Sequence, residues 1–283
     1  MNFDYTIKYC SENTYENTVH EAFWQFMVTP ENNDTQELVS SNFKTSVDSK
    51  IEKSINGFGF QTDRIHSKNP FETIRFDAEF KLIKKKINPF DFSLPLDINE
   101  DYKIIEGLLF KIEHESYLTT TELTKISQQH QGIYEFDKSI SIADNLVRLN
   151  EWVYIQIYFK PGVTHIGTLL DEIIENRQGV CQDFSHLFIA IARQNGIPTR
   201  YVSGYLHQGD GYFGDSQMHA WVEAFIPNVG WVGYDPTNNI LANHNHIKVC
   251  YGKDYNDCAP IKGIVYTTGS NETKYSVEVS YQQ

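Results

Sequence analysis

Three residues of this 283-residue chain have side chains that could together carry out acyl transfer: Cys181, His219 and Asp235. A thiolate can attack an acyl carbon. An imidazole can take the thiol proton and return it to a leaving group, and a carboxylate can fix the tautomer and orientation of that imidazole. The order is Cys, His, Asp, with gaps of 219 − 181 = 38 and 235 − 219 = 16 residues. Each residue taken singly has an ordinary alternative. Cys181 could be a small buried hydrophobe, His219 a hydrogen-bonded strand-edge residue, and Asp235, which precedes Pro236, a turn residue. All three ordinary readings would have to hold together.

The elements around these residues determine whether they can meet. Residues 179–198 read GVCQDFSHLFIAIARQNGIP. Phe184, Leu187, Phe188, Ile191 and Ala192 recur at the spacing of an amphipathic helix. Asn195-Gly196 supplies a C-terminal cap, Pro198 stops continuation, and Gly179 gives room for a tight entry. Cys181 falls in the first turn, three residues before Phe184 and so on the inward face. Unpaired N–H groups and the macrodipole there favour an anion and can receive an oxyanion formed beside the sulfur. Residues 218–235 read MHAWVEAFIPNVGWVGYD. The pattern predicts strands over Ala220–Phe225 and Trp231–Tyr234, joined by a turn at Pro227–Gly230. His219 begins one strand, Asp235 ends the other, and their shared parity puts both on one face of the hairpin.

Outside this region the chain is less informative about chemistry. Residues 1–90 read as a β domain. Phe3, Tyr5, Ile7 and Tyr9 alternate with polar residues, as do Ile74, Phe76, Ala78, Phe80 and Leu82, and Gly57-Phe58-Gly59 marks a turn. Residues 91–160 read as linker and helical part of the core, with Ile142, Leu146, Leu149, Val153 and Ile157 near helical spacing. Residues 161–283 read as the catalytic core, with closing strands at Lys248–Tyr251 and Tyr275–Val279. The balance of 24 Lys+Arg against 37 Asp+Glu, a formal net charge of −13, argues against nucleic acid as a partner. No apolar run is long enough to span a bilayer, and the start MNFDYTIKYC lacks the pattern of a signal peptide, so a cytoplasmic location is expected. Cys10, Cys250 and Cys258 read as indifferent thiols, with a Cys250–Cys258 hairpin bridge as the alternative.

The segments GVCQDFSHL, MHAWVEAF and GWVGYDPT, together with GIPTRYVSGYL between the first two, resemble the motifs of the transglutaminase-like superfamily of papain-like thiol enzymes. The resemblance covers roughly Thr164 to Thr237. The N-terminal strands and the tail GKDYNDCAPIKGIVY are similar to the flanking parts of bacterial members. The resemblance implies an α+β fold: a nucleophile helix packed on an antiparallel sheet, preceded by a β-sandwich-like domain. It also implies Cys181 as nucleophile, His219 as general base and acid, and Asp235 as the residue orienting His219. Hydrolysis of a peptide-like amide by a cysteine peptidase or amidase is the activity it favours. A protein-glutamine transglutaminase using the same triad, or a binding module that has retired its chemistry, are the alternatives.

Further candidates surround the triad. Tyr158 could donate to an oxyanion or simply pack, Gln182 and Asp183 could touch substrate or cap the helix, and Trp221 and Trp231 could wall the cleft or be ordinary core aromatics. His207, His244 and His246 could suggest a metal, but His244-Asn245-His246 reads as a polar loop without a carboxylate or Cys at ligand spacing, so no metal and no cofactor are expected. The Gly-rich stretch Gln208–Gln217 could cover the cleft or form a passive loop. The expected partner is a peptide or protein substrate, and the N-terminal domain is the candidate surface for a homodimer.

Overall fold

The computed structural model describes residues 2–91, 98–207, 213 and 217–282. The strands are β1 (Asn2–Val19), β2 (Glu21–Phe26), β3 (Gln36–Thr45), β4 (Lys50–Ile55), β5 (Gln61–Ser67) and β6 (Phe71–Lys85), followed by the helices α1 (Ile98–Glu106), α2 (Leu108–Glu113), α3 (Glu115–Leu118) and α4 (Ile142–Gln156). Then come β7 (Tyr158–Phe159), α5 (Leu170–Asn176), β8 (Gln178–Gly179), α6 (Cys181–Gln194), β9 (Thr199–Leu206), β10 (His219–Ile226), β11 (Gly230–Asp235), β12 (Ile240–Leu241) and β13 (His246–Gly252). The chain closes with α7 (Tyr255–Cys258), β14 (Ile261–Tyr266) and β15 (Asn271–Gln282). The fold is α+β.

Alternation builds the N-terminal part. Tyr5, Ile7 and Tyr9 of β1 and Ile74, Phe76, Ala78, Phe80 and Leu82 of β6 are all buried, as period-2 patterning requires. They belong to a four-stranded sheet ordered β15-β1-β6-β3, and a second sheet is ordered β14-β2-β5-β4. Trp24 and Phe26 of β2 meet Phe76 of β6 at ring-centroid distances of 5.2 and 4.5 Å, so the two sheets face each other as a sandwich. The closing strand expected near Tyr275–Val279 completes this sandwich, where β15 pairs with β1 from Asp4↔Gln282 to Tyr15↔Asn271. Local alternation identifies a strand but carries no information about its partner. The expected helical region after residue 100 is broken at Gly107 and His114, and α4 is its one long helix.

The third sheet, β12-β11-β10-β9-β13, is antiparallel throughout. One face meets α6, where Phe188 lies 5.4 Å from the Tyr234 ring. Gln36 joins this sheet to the sandwich. Its side-chain amide donates to the backbone oxygens of Glu31 and Lys248, and its Oε1 accepts from the Lys248 N–H and from Lys84 Nζ. Tyr205 Oη also donates to the Val28 carbonyl at 2.6 Å.

Lys84 is buried at this junction, and burial, with nearby Lys248 adding repulsion, pushes its pKa from 10.5 down to about 7. The unfolded chain holds this proton up to about pH 10.5 and the folded chain only to about 7, so the cost to stability is full below 7 and gone above 10.5. Gln36 Oε1 keeps the Lys248 N–H if the ammonium is removed. Lys84→Met is therefore expected to raise the urea midpoint at about pH 6, with the gain shrinking toward about pH 10; a gain independent of pH would contradict this.

Candidate active site

The site is built at the start of α6. The Asp183 carboxylate, three residues into the helix, accepts from the Val180 N–H and from Thr164 Oγ1, each at 2.7 Å, and so caps the first turn. Burial nevertheless pushes the Asp183 pKa up against these hydrogen bonds. A Cβ at Gly179 would collide with this carboxylate at 2.6 Å, which explains the glycine two residues before Cys181. Cys181 is half-buried at the first helical position, where the N–H groups lack partners inside the helix.

β10 and β11 supply the other two side chains. Their pairing runs from Ile226↔Gly230 to Val222↔Tyr234. His219 and Asp235 lie just past its end and share the parity of Trp221 and Glu223. His219 Nε2 is 2.8 Å from Asp235 Oδ2, and both side chains are inaccessible to solvent. Burial opposes an imidazolium here. The Asp235 carboxylate and the neighbouring Cys181 outweigh it and lift His219 from 6.5 to about 10. Burial likewise opposes the Asp235 anion, but His219 and then His246 hold its carboxyl well below the ordinary carboxylate range. The imidazole contacts Asp235 through Nε2, its buried Nδ1 makes no hydrogen bond among the described residues, and Cys181 lies near enough to add to the rise in its pKa.

Asp235 has further partners that sequence reasoning did not supply. Oδ2 also accepts from Asn238 Nδ2 at 2.7 Å and from His246 Nε2 at 3.1 Å, and Oδ1 accepts from the N–H groups of Thr237 and Asn238. Among the described residues, atoms able to ligate a metal converge at His219, Asp235 and His246, all within 4.8 Å. These atoms are engaged in hydrogen bonds with one another, so an ion would have to displace both imidazole–carboxylate contacts. His207 and His244 lie apart from this cluster, against Tyr5 and Phe3 respectively. His246 is the first residue of β13 and not part of a polar loop, a strand start that its alternating neighbours Ile247 and Val249 could have signalled.

The remaining candidates are distributed as follows. Trp221 is buried with its ring 6.2 Å from His219 and edge-on to His246 at 5.2 Å. Trp231 lines the same cavity as Trp221 and His246, under the Arg200 guanidinium at 4.3 Å. Gln182 does not cap the helix; its side-chain amide donates to the Ile166 carbonyl at 3.2 Å. Tyr158 is 72% exposed, so its ring is not packed, and its N–H donates to the Arg177 carbonyl. Phe213 stacks on Phe159 at 4.7 Å and exchanges hydrogen bonds with Asn238, the residue that also holds Asp235. The rest of the Gln208–Gln217 stretch, apart from Gln217, lies outside the described residues. Cys10, Cys181, Cys250 and Cys258 are all free thiols.

Residues 131–236 match the core of the transglutaminase-like superfamily. An uncharacterized protein of Mycobacterium leprae is 26% identical over 271 residues, covering 94% of each chain. A protein-glutamine gamma-glutamyltransferase of Pseudomonas aeruginosa is 33% identical over 87 residues, which are 29% of this chain but 13% of that one. Among solved structures, a "putative cysteine protease" from Cytophaga hutchinsonii superposes with a TM-score of 0.76 at 19% identity, covering 100% of this chain and 92% of the other. That likeness establishes the fold. No described helix is long and apolar enough to cross a membrane.

Proposed function

We propose that the chain is a thiol-dependent acyl-transfer enzyme, a cysteine peptidase or amidase acting on a peptide-like amide. The observation that carries this reading is the buried His219–Asp235 pair, held at 2.8 Å with Cys181 beside the same imidazole. In the reaction the Cys181 sulfur bonds to the amide carbon while N–H groups at the start of α6 receive the oxyanion. His219, carrying the thiol proton, passes it to the leaving amine as the C–N bond breaks, and a thioester remains. Water, deprotonated by His219, then attacks the acyl carbon, and the C–S bond breaks to release the acid and regenerate the thiol.

The rim of the site supports a substrate with apolar side chains beside the reacting bond. Tyr158, Ile166 and Phe213 expose 72, 65 and 49% of their surface, and the Gln182 and Asn238 hydrogen bonds tie Ile166 and Phe213 to the site. Trp221 backs His219 and keeps water from the ion pair. We assign residues 1–90 together with β14 and β15 to a sandwich unit, and 98–258 to the catalytic unit.

The test is to incubate the protein with apolar peptide amides and a primary amine, and to identify products by mass spectrometry in wild type and Cys181→Ala. Hydrolysed peptide, lost in the variant, is expected. Predominant amine coupling would favour cross-linking, the activity in the name of the Pseudomonas relative. Absence of both products, or equal yields from the variant, would contradict the proposal.

A further inference from the structure

The Asp235 carboxylate is gripped from two sides, and the second grip comes from a distant strand. His246 lies on β13, at the far edge of a sheet in which β10 and β9 separate it from β11. Its Nε2 nevertheless reaches Asp235 Oδ2 at 3.1 Å, and both side chains are buried. The approach depends on Gly204 of β9, which pairs with His219 and also with Lys248. A Cβ there would collide with the Ile247 carbonyl and the Trp221 ring. Without it, the indole can pack beside both imidazoles, at 6.2 Å from His219 and 5.2 Å from His246, which are themselves 6.2 Å apart.

The protonation of His246 is fixed by its other nitrogen. Nδ1 accepts from the Asn243 N–H at 3.2 Å, so a neutral ring carries its proton on Nε2, facing Asp235. Burial pushes its pKa down; Asp235 opposes that, while His219 and Lys84 reinforce it. A second imidazolium on one carboxylate would compete with His219 for its charge, whereas a neutral N–H donor only orients it.

We infer that His246 is a positioning residue of the triad: a neutral imidazole that fixes the rotation of the Asp235 carboxylate and with it the orientation of the His219 ring relative to Cys181. This rests on the thiol–imidazole reading of the site. Small misplacements of such groups cost up to about 100-fold in rate.

The test uses the full chain and the alkylation of Cys181 by iodoacetamide at about pH 6, with Cys10 as internal control, read by peptide mass spectrometry. His246→Phe is expected to slow Cys181 by roughly 10-fold or more and leave Cys10 unchanged. His246→Gln, whose amide can donate to the same oxygen, is expected to recover most of that loss. Equal slowing by both variants, or slowing by neither, overturns the inference. Should His246→Phe not fold, the ¹⁵N shifts of the wild-type imidazoles decide instead: His246 neutral with its proton on Nε2 is expected near neutral pH, and a charged ring or the other tautomer overturns it. If wild-type Cys181 itself ignores removal of His219, the reading of the whole site fails first, and the two failures are thereby distinguished.

Discussion

Asp235→Asn is expected to lower amide turnover by about three to four orders of magnitude, the loss typical when the acid of such a triad is neutralised. The physical reason lies in the balance at His219. Burial disfavours its charge, and the Asp235 carboxylate is the main force opposing burial. With an amide in its place, the imidazole becomes neutral in the physiological range, and the thiol loses the cation that favours its ionised form. Stability should change with a defined pH signature. A histidine lifted from 6.5 to about 10 contributes fully below 6.5 and loses that contribution as pH rises to 10. A carboxyl held below its ordinary 3.8 contributes above that value and loses it in acid. These describe one pair, so the difference between wild type and variant in urea unfolding should be largest between about pH 4 and 6.5 and fade toward 10. Its maximum is expected at about 3 kcal/mol, the scale of a broken buried pair. A difference that grows with pH would contradict the assignment.

Arg193→Met is expected to cost about 4 kcal/mol or more, near the top of single-substitution effects. This side chain sits near the end of α6 and is buried, with no carboxylate among the described residues at salt-bridge distance. Its guanidinium instead donates to the carbonyls of Tyr117, Thr119, Thr199 and Lys253 and to Thr124 Oγ1, at 2.7 to 3.2 Å. One residue thereby joins α6 to α3, to the start of β9 and to the segment before α7. Removing it strands several buried acceptors, each costing about 1–3 kcal/mol before relaxation. Lysine cannot replace the fork, because three donors on a point cannot reach five acceptor positions. Urea unfolding should therefore show a similarly low midpoint for Arg193→Lys. Wild-type stability in either variant would mean that the network is not what holds these elements together.

Much of this architecture is legible in the sequence because it follows from periodicity. The stripe from Phe184 to Ala192 defines α6 and puts Cys181 in its first turn. The parity of His219 and Asp235 brings the two together at the end of the hairpin. Other features depend on packing between distant segments. Arg193 falls outside the apolar stripe of its helix, and only the four carbonyls converging from three other segments make it a core residue. His246 sits in HNH, which reads as a polar loop, and its partner lies beyond two intervening strands. The pairing of β15 with β1 joins the two ends of the chain, and nothing in the local pattern of either strand specifies the other.

The most direct measurement of the central claim is the pH dependence of Cys181 alkylation in wild type and His219→Ala, resolved by peptide mass spectrometry from that of Cys10. The burial of Cys250 and Cys258 keeps them from interfering. If Cys181 and His219 form a thiolate–imidazolium pair, Cys181 is alkylated well below the pH at which Cys10 responds, and His219→Ala moves its profile upward. A Cys181 profile that coincides with that of Cys10 and ignores the loss of His219 would contradict the account of this site as a thiol enzyme.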